Sequence, residues 1–101
     1  MNNFDLCESN LDFLYETVLK LKDKEECRRY FCDLCTIPEL KAISQRVVVA
    51  RMLSNNCNYQ DIVEKTGAST ATISRVNRSL HYGEGGYKKV FERLDEDGDT
   101  E

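Results

Sequence analysis

The chain has 101 residues with 41% hydrophobic and 32% charged content, one proline and no tryptophan. That size and mix fit a single, largely helical domain with a small core. No apolar run approaches the roughly 20 residues of a membrane span, and "MNNFDLCESN" has neither the basic flank nor the apolar stretch of a secretory signal, so a cytoplasmic protein is expected. Five cysteines, an odd number without a signal peptide, argue against a disulfide framework. The net charge of −4 looks wrong for a nucleic-acid binder, but its distribution is uneven. Residues 1–40 hold five Lys/Arg against nine Asp/Glu, residues 41–94 hold nine against four, and residues 95–101 hold five acids and no base. A basic middle between acidic ends leaves DNA binding open, because the local field at the contact surface does the steering.

Taken in chain order, six helical segments are expected. The first lies near Leu11–Leu21, with Leu11, Leu14, Tyr15 and Val18 on one face. Asp23 and Glu26 have capping-box spacing and open a second, whose stripe is Cys27, Tyr30, Phe31, Leu34 and Cys35. Cys32 and Cys35 also have CxxC spacing. A metal or redox site with Cys27 would need more ligands than the chain offers, since there is no second CxxC and no paired His; buried thiols on an apolar stripe are the simpler account. No metal and no cofactor is expected.

Thr36 and Glu39 form another capping box, with Pro38 in the first turn, where a missing N–H is harmless. The third helix then runs to about Leu53, with Leu40, Ile43, Val47 and Ala50 inward. Lys41, Arg46 and Arg51 are the charges between 41 and 57, candidates for the edge of a basic surface or ordinary solvated residues. "SNNCN" breaks this helix, and Asn58 caps a short fourth one, Tyr59–Thr66. Gly67 turns the chain and Ser69 caps a fifth helix, Thr70–Leu80. "HYGEGG" interrupts; its glycines follow a helix rather than a strand and no Lys-Ser/Thr follows, unlike a nucleotide loop. His81, the single histidine, reads as a helix C-terminal residue or a phosphate contact, with no partner for general-base chemistry. An enzyme is not expected. The sixth helix carries Tyr87, Val90, Phe91 and Leu94 on one face. The domain is thus read as 1–94, with the acidic "DEDGDTE" of 95–101 as a disordered tail.

Segments four and five, residues 59–80, have the spacing of a helix-turn-helix: Ile62 lies five residues before Gly67, with Ile73 and Val76 six and nine after it. Gly67 permits the positive φ that ends the first helix, and Ile62, Ile73 and Val76 would pack the pair. Val63 departs from the pattern, since many such motifs carry a smaller residue there. Thr70, Ala71, Thr72, Ser74, Arg75 and Arg78 then face outward. Short hydroxyl and methyl groups let a helix approach base edges in the major groove, and arginines take phosphate or guanine. Thr70, Ala71 and Thr72 are the candidates for base edges; Ser74, Arg75, Arg78, Tyr59 and Gln60, with Ser69 at the helix N-terminus, are those for the backbone.

"TGASTATISRVNRSL" resembles the recognition segment of the tryptophan repressor family, with its G-A-x-x-A-T-I-[ST]-R core matched by Gly67, Ala68, Ala71, Thr72, Ile73 and Arg75. The longer stretch "LKAISQRVVVARML…YQDIVEKTGASTATISRVNRSLHYGEGGYKKVFERL" is more similar still to the YerC/YecD-type branch of TrpR-related bacterial proteins, and the likeness covers about Asp12 to Leu94. It implies an all-α, six-helix intertwined homodimer and a transcriptional regulator, a repressor, that reads double-stranded DNA. It also implies a candidate ligand site between two arginines: Arg75, and Arg46 if the alignment slips by one residue, Gln45 without a gap. The family's glycine after the recognition-helix arginine is Val76 here, and its bulk argues against tryptophan as corepressor. Two other readings stay open: a helix-turn-helix used to bind protein without specific DNA readout, and a repressor gated by an unknown small metabolite.

Overall fold

A computed structural model describes the backbone of residues 3–99 and the side chains of residues 8–98. Every regular element in that range is helical: α1 (Asn3–Val18), α2 (Lys24–Leu34), α3 (Ile37–Ser54), α4 (Tyr59–Thr66), α5 (Thr70–Tyr82) and α6 (Gly86–Asp99). The all-α, six-helix expectation holds. No helix among the described residues is long and apolar enough to cross a membrane. The chain divides into two compact units, residues 1–37 and 38–101.

In the first unit, α1 occupies Asn3–Val18 rather than the expected Leu11–Leu21. No proline or glycine interrupts residues 3–10, so the helix starts well before the apolar stripe becomes regular. It ends early because its last turn tightens: the N–H groups of Lys20 and Leu21 reach Thr17 O and Val18 O, three residues back. Asp23 caps α2 as expected, its carboxylate accepting the Glu26 N–H at 2.8 Å while the Glu26 side chain takes the Lys22 N–H at 2.9 Å. Thr17 donates its one hydroxyl hydrogen to Leu14 O at 2.7 Å, so Tyr30 must be the donor in the hydrogen bond between their hydroxyls. No residue of α2 is buried: Cys27, Tyr30, Phe31 and Cys35 are half-covered and Leu34 is exposed.

The core belongs to the second unit. Val49, Ala50, Ile62, Ala68, Ile73, Val76 and Phe91 form one buried cluster, with Met52, Leu53, Cys57 and Tyr87 packed against it. On α3 the expected inward stripe is corrected. Ala50 is buried and Leu40 half-buried, but Ile43 and Val47 are exposed and Val49 is buried instead. A helix apolar nearly all round does not reveal which side its neighbours will cover. The Tyr87 ring stacks on Phe91 with centroids 6.0 Å apart, and the Arg51 guanidinium lies 5.1 Å from the Phe91 centroid while pairing with Asp95. The Asp95 carboxylate holds the Arg51 pKa above its ordinary value. That pairing lies beyond Leu94, in the stretch read from sequence as a disordered tail. α6 instead continues to Asp99, and residues 100–101 lie outside the described residues. Charge alone suggested disorder there, whereas the first acid of the run, Asp95, is paired with Arg51 of α3.

Candidate nucleic-acid interface

The site is built from α4, α5 and the three residues between them. Asn58 caps α4 with its side-chain oxygen on the Asp61 N–H at 2.9 Å. Gly67 ends α4 in the left-handed region, φ 71° and ψ 7°, and its N–H closes on Val63 O at 2.9 Å. Thr66 donates its hydroxyl to Ile62 O at 2.7 Å and accepts the Ala68 N–H at 3.1 Å. Ala68 is buried under the turn, 2% exposed. Ser69 then caps α5, its hydroxyl oxygen accepting the Thr72 N–H at 3.1 Å.

α5 has two faces. Ile73, Val76 and Leu80 are buried, and Ile62 of α4 is fully buried against the same cluster. On the other face Ser69, Thr70, Ala71, Ser74, Arg75 and Arg78 are exposed. Thr72 is half-buried, and its hydroxyl oxygen lies 3.1 Å from that of Ser69. Tyr59 and Gln60 are exposed in the first turn of α4. Val63 is accommodated on the solvent side, 37% exposed, so its size does not disturb the pair. The arrangement can offer a phosphate short donors and cations, and offer a groove a helix with little bulk at its leading end. The α5 N-terminus adds a partial positive charge.

The second arginine of the implied ligand site is not brought to the first in any cavity described. Three clefts open on this unit, of about 340, 390 and 600 Å³, and among the described residues neither Arg46 nor Arg75 lines any of them. Arg46 is half-buried on α3 and Arg75 exposed on α5, with Val76 filling the core beside it. His81 is exposed, its Nδ1 hydrogen donated to Asn77 O at 2.9 Å, a bond that fixes the ring at the end of α5. Cys27 and Cys35 are half-buried and Cys32 exposed.

Two features were missed by sequence reasoning. Gln45 of α3 donates its side-chain amide to Thr66 O at 3.1 Å. Nothing local in the sequence signals a contact across 21 residues. The second is Gly83: its N–H closes α5 on Ser79 O at 2.9 Å, and a Cβ there would stand 2.4 Å from that same oxygen. The glycine-rich "HYGEGG" signalled an interruption without showing that Gly83 faces a carbonyl while Gly85 takes a positive φ of 81°.

Comparison with known proteins places these features in a family. The model of the Trp repressor protein family matches residues 9–95. Protein YerC of Bacillus subtilis (strain 168) is 52% identical over 86 residues, 85% of this chain and 83% of YerC. Two crystal structures are similar throughout. One is of a protein described as a candidate Trp repressor from Staphylococcus aureus: 42% identity, TM-score 0.84, 94% of this chain and 95% of that one. The other is of a TrpR-like protein from Eubacterium eligens ATCC 27750: 54% identity, TM-score 0.85, 92% and 96%.

Proposed function

Because this chain belongs to the Trp repressor protein family, we propose that it is a dimeric, sequence-specific DNA-binding regulator that represses transcription by placing α5 of each copy in a major groove. The observation that carries the reading is the two-sidedness of α5: Ile73, Val76 and Leu80 anchor it while Thr70, Ala71, Ser74, Arg75 and Arg78 stand exposed. Thr70, Ala71 and Thr72 take base edges. Ser69, Ser74, Arg75, Arg78, Tyr59 and Gln60 take the phosphate backbone. Tryptophan is not the corepressor in this reading, since Val76 occupies the core beside Arg75.

The dimer is supported by apolar surface without a partner. Leu11, Phe13, Tyr15 and Leu19 of the first unit are 46–82% exposed, and Ile43, Val47 and Val48 of α3 are 38–49% exposed. A groove of about 600 Å³ walled by Val47, Tyr87, Val90 and Phe91 adds to this surface. Exposed apolar area on that scale is what a second copy would cover. Two-fold symmetry then demands a palindromic site with half-sites about one DNA turn apart.

Selection from sheared genomic DNA at near-physiological salt, followed by sequencing, tests the reading, with a Thr72/Arg75 double substitution as control. Enrichment of a palindrome that vanishes in the control is the expected result. Featureless recovery from both proteins would show that α5 reads no sequence. On the selected operator, Arg78→Ala should weaken all duplexes alike and lower the salt slope by about one; an unchanged slope would assign Arg78 elsewhere.

A further inference from the structure

The last four carbonyls of a helix have no partner within it and must find one elsewhere. At the end of α4, Val63 O takes the Gly67 N–H, and Thr66 O is taken by Gln45 from α3. Thr66 is therefore held at every polar atom given a contact: its hydroxyl bridges Ile62 O and the Ala68 N–H, and its carbonyl is fixed from outside the motif. Only Gly67 and Ala68 separate it from Ser69, the cap of α5. Gly67 sits in a left-handed conformation and Ala68 is buried. A shift of Thr66 must move the start of α5.

We propose that Gln45 is a positioning residue for DNA readout: its amide on Thr66 O latches the helix-turn-helix turn to α3 and sets where α5 begins. The inference rests on the DNA-reading role proposed above. Gln45 is half-buried, so the bond is partly shielded from competing water. It also lines an open cleft with Lys41, Ser44, Val48, Lys65 and Thr66, so water can reach Thr66 O once the amide is removed. Loss of the amide therefore leaves the protein folded and loosens the turn. The consequence appears in discrimination between DNA sequences more than in stability.

The test compares the full chain with Gln45→Leu, which lacks the donor, and Gln45→Lys, which keeps one. Two readouts are taken: amide hydrogen exchange at Gly67 and Ala68, and the ratio of affinity for the selected operator to affinity for random duplex. Gln45→Leu should speed exchange at both amides and lower the ratio about tenfold, the scale of one partly buried hydrogen bond. Gln45→Lys should return both towards wild type. Unchanged exchange and ratio in Gln45→Leu would overturn the latch, as would a Gln45→Lys variant that behaves like Gln45→Leu. A folded wild-type protein preferring no duplex would instead defeat the DNA-reading role, and the exchange arm would still decide whether the latch exists.

Discussion

The two units of this chain solve opposite problems. In residues 38–98 all the buried side chains but Leu80 form one cluster, and α4 and α5 meet in a pair with capped N-termini and a closed turn. In the first unit no described side chain is buried, and Phe13 and Leu19 are 66% and 82% exposed. One unit has its own buried interior; the described side chains of the other are half-buried at most. The proposed DNA-reading helix lies in the second unit and much of the proposed dimer surface in the first, so variants in each test different parts of the proposal.

The largest effect should come from the interior. Ile73→Ala removes a fully buried side chain between the paired helices and should cost about 2–5 kcal/mol. Thermal melting monitored by circular dichroism checks this; a loss below about 1 kcal/mol would mean that the cluster collapses easily around the gap. Next comes the first unit. Phe13→Asp places a charge on exposed apolar surface and should halve the mass seen by light scattering, leaving helix content largely intact. An unchanged mass would remove α1 from the proposed interface. Gly67→Ala should be smaller, about 1 kcal/mol, because the position demands a positive φ with open space around it. Melting should show that shift, and Gly67→Asn should recover part of it. The smallest effect concerns Glu25, whose pKa is lowered chiefly by its hydrogen bonds with Arg28. A depressed carboxylate stabilises the fold above its unfolded pKa and loses that contribution as pH falls through the folded value. Glu25→Gln should therefore differ slightly from wild type at neutral pH and converge on it as pH falls through the lowered folded pKa. Melting temperatures across that range decide it, and a difference persisting at low pH would mean that the ion pair is not its source.

The same contrast explains what could be read from sequence. α4 and α5 were legible because their signals are local: Asn58 and Ser69 at the caps, Gly67 at the turn, and Ile62, Ile73 and Val76 at packing distance from it. The α3 faces were not, because a helix carrying Ile43, Val47, Val48, Val49 and Ala50 is apolar in several directions, and its neighbours decide which are covered. Asp95 of α6 pairs with Arg51, 44 residues away, and Thr66 with Gln45, 21 residues away. Neither partner is visible in a window of sequence. The acidic run was read from its charge, when the cation that engages it lay elsewhere.

The Ser69–Thr72 pair at the head of α5 has one more consequence. Ser69 accepts the Thr72 N–H, and the two hydroxyl oxygens stand 3.1 Å apart, linked by a single hydrogen. Two hydroxyls own two hydrogens, so this link leaves one of them uncommitted. The oxygens are pinned while that proton is free to swing. The leading edge of the helix thus combines a rigid frame with a rotor, able to turn a donor towards a phosphate or a base acceptor without moving the backbone that carries it.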